Sequence, residues 1–314
     1  MGITIPNYND MKTKHFYFLS CMLLLGAFQA QTQTVTTDSL LSFNQLYERS
    51  CALTNRDTWI TSQGVRPLGW RWRRVASEFD VSPESKAVFE QSRQQSRKAL
   101  VCYLAGTALI LGVLPIVATS PPSEQFDARA GIISGMVIGG SVSLGYSMRN
   151  FRGALNNQEL ALWLRNRDAL ATELPLNLQT NFKQIYNQET IYLQEIGRLN
   201  ERYVRNGQKY SIGIFGGRIK NEFQGSADGM VSFKRYQSVK RAGFVVYALG
   251  VASAVASIFI DQNNPKRPLF TPAYLAGLVG MGVGAGVMGV ATNDLRNAIY
   301  LRNRDTVRPL LMFR

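Results

Sequence analysis

LWLRNRDAL at Leu162–Leu170 returns as IYLRNRDTV at Ile299–Val307, and the rest of the chain is organised around that repetition. Sliding the sequence over itself by 144 residues brings Trp59 onto Tyr203, Gly69 onto Gly213, Arg74 onto Arg218 and Glu78–Phe79 onto Glu222–Phe223. Ser82, Phe89, Arg97, Tyr103 and Gly106 then meet Ser226, Phe233, Arg241, Tyr247 and Gly250. Further on the offset falls to 137, and the two pentapeptides coincide. Matches at one spacing mark an internal duplication. The expected copies occupy 59–170 and 203–307, with an N-terminal extramembrane segment at 31–58, a linking amphipathic helix at 171–202 and a tail at 308–314.

Each pentapeptide follows a glycine-rich apolar run. No charge interrupts the stretches between Lys98 and Glu124, Arg129 and Arg149, Arg241 and Asp261, or Arg267 and Asp294. Each reaches the ~20 residues that cross ~30 Å of hydrocarbon as a helix. Spans are expected at about 99–119, 130–148, 242–260 and 273–292. Pro121–Pro122 and Pro265/Pro268 stop a helix in the short links, so each pair reads as a hairpin. Two spans per copy return the chain to its starting side, which makes the repeats parallel. Ser82-Pro83-Glu84 and Ser226-Ala227-Asp228 place a cap and an early acid where a helix starts and runs on into the first span of each pair. The expected fold class is therefore all-α: a polytopic membrane protein of two tandem parallel repeats, each with a transmembrane helical hairpin and basic amphipathic extramembrane helices.

The segment between the copies carries Ile185, Tyr192, Ile196, Leu199 and Tyr203 at helical spacing, with Asn206-Gly207 as its stop. At the N-terminus, read from Met11, Lys12 and Lys14 precede the apolar FYFLSCMLLLGAF and a cleavage-like AFQA ending at Ala30. That pattern is first a signal peptide over 1–30, with an uncleaved anchor and no export as the alternatives. The three cysteines show no ligand spacing and the one histidine, His15, lies in that leader. No metal, no cofactor and no catalytic set is expected.

Gly131, Gly135 and Gly139 stand four apart on the second span; Ala276, Gly280 and Gly284 repeat the spacing on the fourth. Strips without side chains let helix backbones approach closely, either within the hairpin or between copies of the protein. On these residues the hairpins resemble the glycine-zipper two-transmembrane hairpins of bacterial envelope proteins. The resemblance covers the spans and implies envelope association. Gly284–Gly289 also fits GxGxxG, but it lies inside an apolar helix rather than after a strand, and is not read as a dinucleotide site.

In LRNRD, Leu162/Ile299 and Leu164/Leu301 are expected to pack at the membrane edge with Trp163 and Tyr300 as interfacial anchors. Arg165 with Asp168, and Arg302 with Asp305, are three apart and suited to pairing along a helix. The alternative gives Arg165, Arg167, Arg302 and Arg304 to lipid phosphate or an acidic partner. Trp70, Arg71, Arg73 and Arg74 of WRWRR invite nucleic acid, but export removes that partner; headgroup contact, or more simply an interfacial strand, is expected there. The spans hold no internal charge, which counts against an ion-coupled carrier.

The basic excess, 35 Lys+Arg over 21 Asp+Glu, lies almost wholly outside the spans: 30 on the long segments and 3 in the turns. The positive-inside rule alone would place the 30 in the cytoplasm, but it is weak for long loops, and the signal peptide puts them outside. The expectation is a non-enzymatic, oligomerising scaffold of the bacterial envelope with lipid and protein partners, its long segments periplasmic and its membrane the inner rather than the outer. A passive channel between the repeats, lined by Ser134, Ser141, Ser143, Ser253 and Ser257, is the alternative.

Overall fold

The computed structural model describes residues 40–55, 58–118, 126–194, 201–261 and 272–312. The expected leader at 1–30 and the links at 119–125 and 262–271 lie outside the described residues. The chain runs α1 (Leu40–Ser50), β1 (Leu53–Asn55), β2 (Thr58–Thr61), β3 (Gly64–Pro67), a 3₁₀ segment (Trp70–Val81), α2 (Pro83–Ala118) and α3 (Phe126–Thr172). It continues with α4 (Leu176–Glu189), β4 (Ile191–Gln194), β5 (Arg202–Arg205), β6 (Gln208–Ser211), a 3₁₀ turn (Lys220–Phe223), α5 (Ala227–Asp261) and α6 (Pro272–Met312). The same order of elements thus occurs twice, and helix makes up 79% of the structure.

Four helices are long and apolar enough to cross a membrane: Pro83–Ile116, Ala130–Thr172, Ala227–Ser257 and Pro272–Leu311. Their length exceeds what a bilayer needs. The 47 residues of α3 reach about 70 Å at 1.5 Å per residue, more than twice the hydrocarbon thickness. The surplus stands outside as the walls of a head. Ser82 Oγ accepts from the Ser85 amide at 3.1 Å and Ser226 Oγ from the Gly229 amide at 3.1 Å, so α2 and α5 start at capping serines and continue unbroken into the apolar stretch. Helix α2 packs along α3, and α5 along α6; among the described residues neither helix of one pair packs along a helix of the other. The outer faces keep Val101, Leu104, Leu114, Ile138, Val245, Leu249 and Val279 largely uncovered. An apolar surface of that extent is stable against lipid tails and not against water.

The extramembrane part departs from the all-helical expectation. Two three-stranded antiparallel meanders, β1-β2-β3 and β4-β5-β6, flank the helices. The linking helix is shorter than its apolar spacing implied. It ends at Glu189, where Thr190 caps it with both amide and hydroxyl on the Tyr186 carbonyl, and Ile191–Gln194 continue as a strand. Asn206-Gly207 is a hairpin turn rather than a helix stop. Both residues take positive φ, 49° and 71°, the type I′ geometry that joins β5 to β6. Trp70–Arg74, expected as an interfacial strand, begins the 3₁₀ segment.

Three clusters hold the head. Trp59, Phe79 and Phe89 centre the first, and Phe223, Phe233 and Ile212 the second. The third joins the two halves: Phe43 and Tyr47 of α1 meet Phe182 and Tyr186 of α4, with Leu170 and Val307 from the ends of α3 and α6.

Candidate functional site

The LRNRD motifs lie in the head, buried, and each polar residue holds a different element. Arg165 donates to the Ser50 carbonyl at the end of α1 and to Glu78 Oε2 of the 3₁₀ segment at 3.1 Å. Arg302 does the same with the Glu189 carbonyl at the end of α4 and with Glu222 Oε2 at 2.9 Å. Asn166 clamps Ala52 by both backbone groups, its Nδ2 on the carbonyl at 2.8 Å and its Oδ1 under the amide at 2.8 Å. Asn303 clamps Ile191 in the same way at 2.7 and 3.0 Å. Arg167 reaches the first-turn acid Glu84 at 2.6 Å, and Arg304 its counterpart Asp228 at 2.7 Å. Asp305 accepts from the capping Ser226 hydroxyl at 2.5 Å.

Several expectations change on this geometry. Asp168 and Asp305 pair with the neighbouring Arg167 and Arg304, at 2.8 and 2.9 Å, not with Arg165 and Arg302 along the helix. The four guanidiniums offered to lipid or a partner are 5–9% exposed and engaged by this chain's own carboxylates and carbonyls. Trp163 and Tyr300 are not interfacial anchors. Trp163 packs on Tyr186 and Tyr192 and donates to Thr190 Oγ1 at 2.8 Å, while Tyr300 meets the Tyr47 ring edge-on at 5.1 Å. Burial of a charge is tolerable only when it is paired and hydrogen-bonded, and carboxylates and carbonyls from other elements of the chain pair all four arginines. Short-range spacing could not show this, because the partners lie 76–115 residues away.

Where the halves meet, Glu159 of α3 and Arg296 of α6 form an ion pair at 2.6 Å beside a cavity of about 50 Å³ lined by Trp163, Tyr300, Asn166 and Asn303. That is room for a water or two, not for a substrate. Cys51, 1% exposed, sits in the same core. Burial pushes its thiol up to about 12, against the opposing pull of the Arg165 guanidinium. Only the thiolate reacts. A Cys21→Ser/Cys102→Ser chain is therefore expected to resist maleimide at pH 8 in its folded state and to label fully once unfolded; comparable labelling of both states would show the core to be open. Folding keeps this proton while the unfolded thiol sheds it near 9. The head accordingly loses stability as pH climbs from about 9 towards 12.

The glycine strips divide. In the second pair, Gly280 and Gly284 lie against α5: a β-carbon on Gly280 would come 3.1 Å from Gly250 Cα, and one on Gly284 would strike the Tyr247 and Gly243 backbone. Ala276 is exposed, and Gly277, one residue on, takes its place against Ala254. In the first pair Gly131 and Gly135 face open space and Gly139 meets only Leu109, at an ordinary 3.7 Å. The close approach there is made by Gly106 and Gly140 instead. Ser143, Ser253 and Ser257 donate to helix carbonyls of their own pair, and Ser134 and Ser141 remain exposed on the outer face.

WRWRR borders the one large apolar depression described in the first half, a groove of about 800 Å³ between the 3₁₀ segment and the α2/α3 pair. The Trp70 and Arg71 side chains lie outside the described residues, and Arg73 and Arg74 are exposed. Trp72 lines the groove with its backbone at φ 56°. Its counterpart 144 residues on is Gly216, at φ 76°. A left-handed conformation costs a bulky residue roughly 1–2 kcal/mol that glycine does not incur. The Trp72 ring offsets this by packing against Trp59, Phe79 and Phe89 at 6.1–6.5 Å.

No family model, no curated protein and no solved structure matches this chain.

Proposed function

We propose that the chain is a non-enzymatic integral membrane protein of the bacterial envelope, an internally duplicated scaffold in which each copy carries one transmembrane hairpin on a helix-and-sheet head. The observation that carries this reading is the use made of LRNRD. The polar motif that most resembles a binding site ties a helix end, the entry to a strand meander, a 3₁₀ segment and a helix start together, once in each half. Its partners Glu78, Ser82 and Glu84 recur as Glu222, Ser226 and Asp228 at one offset of 144, as a duplication of the whole unit requires. The expected leader favours a periplasmic position for the long segments, where the positive-inside rule is weak because the loops are long, and the inner membrane is preferred to the outer.

Gly131 and Gly135 on α3, with Gly282 and Gly286 on α6, present backbone without side chains to the outside. These are the faces by which copies of the protein associate in this reading, since small residues permit close helix contact in lipid. A pore between the halves is the weaker reading, because three of its five serines are already bonded within their own pairs. Gly135→Cys in a chain whose native cysteines are serine should form a disulfide-linked dimer on mild oxidation in native membranes. Gly284→Leu should instead separate α5 from α6 and destabilise the monomer. Monomer alone after oxidation of Gly135→Cys, Gly131→Cys and Gly282→Cys would remove the oligomer.

A further inference from the structure

The groove beside WRWRR is larger and more apolar than its counterpart in the second half, and four substitutions accompany the difference. Phe215 packs edge-on against Phe244 at 5.4 Å, and Gln237 donates to the Phe215 carbonyl at 2.9 Å, so that loop is latched onto α5. The positions 144 residues earlier hold Arg71, Leu100 and Arg93. Where Lys240 and Glu201 form a buried pair at 2.5 Å, the first half places the short Ser96 opposite Lys240. What remains in the second half is a smaller depression of about 540 Å³ lined by Arg218, Arg241 and Gln237.

The open groove is amphipathic along its length. It follows α2 from Tyr103 back to Ser96 and α3 from Ser147 out to Gln158, about 16 Å at 1.5 Å per residue. At its inner end Tyr103, Met148 and Phe151 are 54–61% exposed and continuous with the lipid-facing surface of the spans. At its outer end Gln158 is 6% exposed, lines the groove, and makes no hydrogen bond among the described residues. Its amide stays accessible from the groove and free to bond to whatever enters there. The rim is cationic. The Arg74 stem lies over lining residue Gly69, its Cγ 3.1 Å from where a β-carbon would stand. The exposed Arg97 and Lys98 follow lining residue Ser96, the exposed Arg149 and Arg152 follow lining residues Met148 and Phe151, and neither these four nor Arg74 forms an ion pair among the described residues.

We propose that this groove binds one membrane phospholipid, its phosphate-bearing head at Gln158 and Ser96 under the cationic rim and an acyl chain running past Leu100 and Tyr103 into the bilayer. The proposal requires a membrane-embedded chain but neither duplication nor oligomerisation. Guanidinium groups supply the charge-assisted bonds that phosphate oxygens accept, and the apolar floor accommodates the chain without exposing it to water.

The test reconstitutes the full chain in phosphatidylcholine vesicles doped with phosphatidylglycerol carrying an acyl-chain diazirine, followed by irradiation and peptide mapping. Labelling at Leu100–Tyr103 and Met148–Leu155 should exceed that at Phe244–Tyr247 about fivefold, with the outer faces of both pairs labelled alike. Gln158→Glu sets a carboxylate against the phosphate and should cut groove labelling about fivefold. Leu100→Phe, which copies the second half, should cut it as far. Equal labelling of the two halves in the wild-type chain would overturn the proposal, as would full groove labelling in a folded variant of either kind. The wild-type comparison decides the matter even if both variants fail to fold.

Discussion

Lys240→Met will destabilise the second half of the head by about 3–5 kcal/mol, the cost of leaving a buried charge without its partner. Lys240 Nζ lies 2.5 Å from Glu201 Oε2 and 2.8 Å from the Tyr236 hydroxyl, which itself donates to Glu201 at 3.1 Å. Glu201 is 4% exposed and Lys240 7%, so water cannot take over from either. Methionine keeps the unbranched stem and removes only the ammonium. Adding Glu201→Met should recover most of the loss, since an apolar pair of similar volume replaces a buried ion pair at little or no cost. Amide exchange across β5, together with thermal unfolding in detergent, reads the effect. A single-variant change under about 1 kcal/mol would mean that the triad is wet.

Asn166→Leu and Asn303→Leu are expected to cost about 3–4 kcal/mol each, from two unsatisfied backbone groups at roughly 1–3 kcal/mol apiece. Ala52 and Ile191 are 1% and 0% exposed and lend both N–H and C=O to the asparagine. Aspartate is the informative control. It still accepts from the amide but turns an oxygen towards the carbonyl, so Asn166→Asp should be nearly as damaging despite its identical shape. Exchange of the Ala52 and Ile191 amides follows the loss directly. If protection of those amides survives the leucine variants, the strands are held by something other than the clamp.

Both predictions turn on residues whose importance only partly shows in the chain. The repeated pentapeptide is visible at once, and so are the four apolar stretches, because hydrocarbon selects by length and composition, which are local properties. The Ser82 and Ser226 caps are legible for the same reason. A signal for the partners of LRNRD is also present: Glu78, Ser82 and Glu84 are repeated along with it, and charged residues repeated together are candidates for one another. Spacing within the motif pointed instead to pairs three apart, a local answer to a contact made over 76–115 residues. The meanders were missed because Ile185, Tyr192, Ile196 and Leu199 happen to fall at helical spacing, while Thr190, Ile191 and Tyr192 favour a strand.

The sequence by itself determined that four helices can enter a bilayer, where α2 and α5 begin, and that two stretches of chain share one order of residues. These follow from hydropathy, capping chemistry and self-similarity, each of which acts within a few residues or by direct comparison. Tertiary structure alone decided which glycines meet a helix and which stay bare, that the arginines of LRNRD are held inside the head, and that one half keeps a wide apolar groove where the other keeps a smaller depression. Those outcomes depend on which surfaces the fold brings together across more than seventy residues, and no local periodicity carries that information.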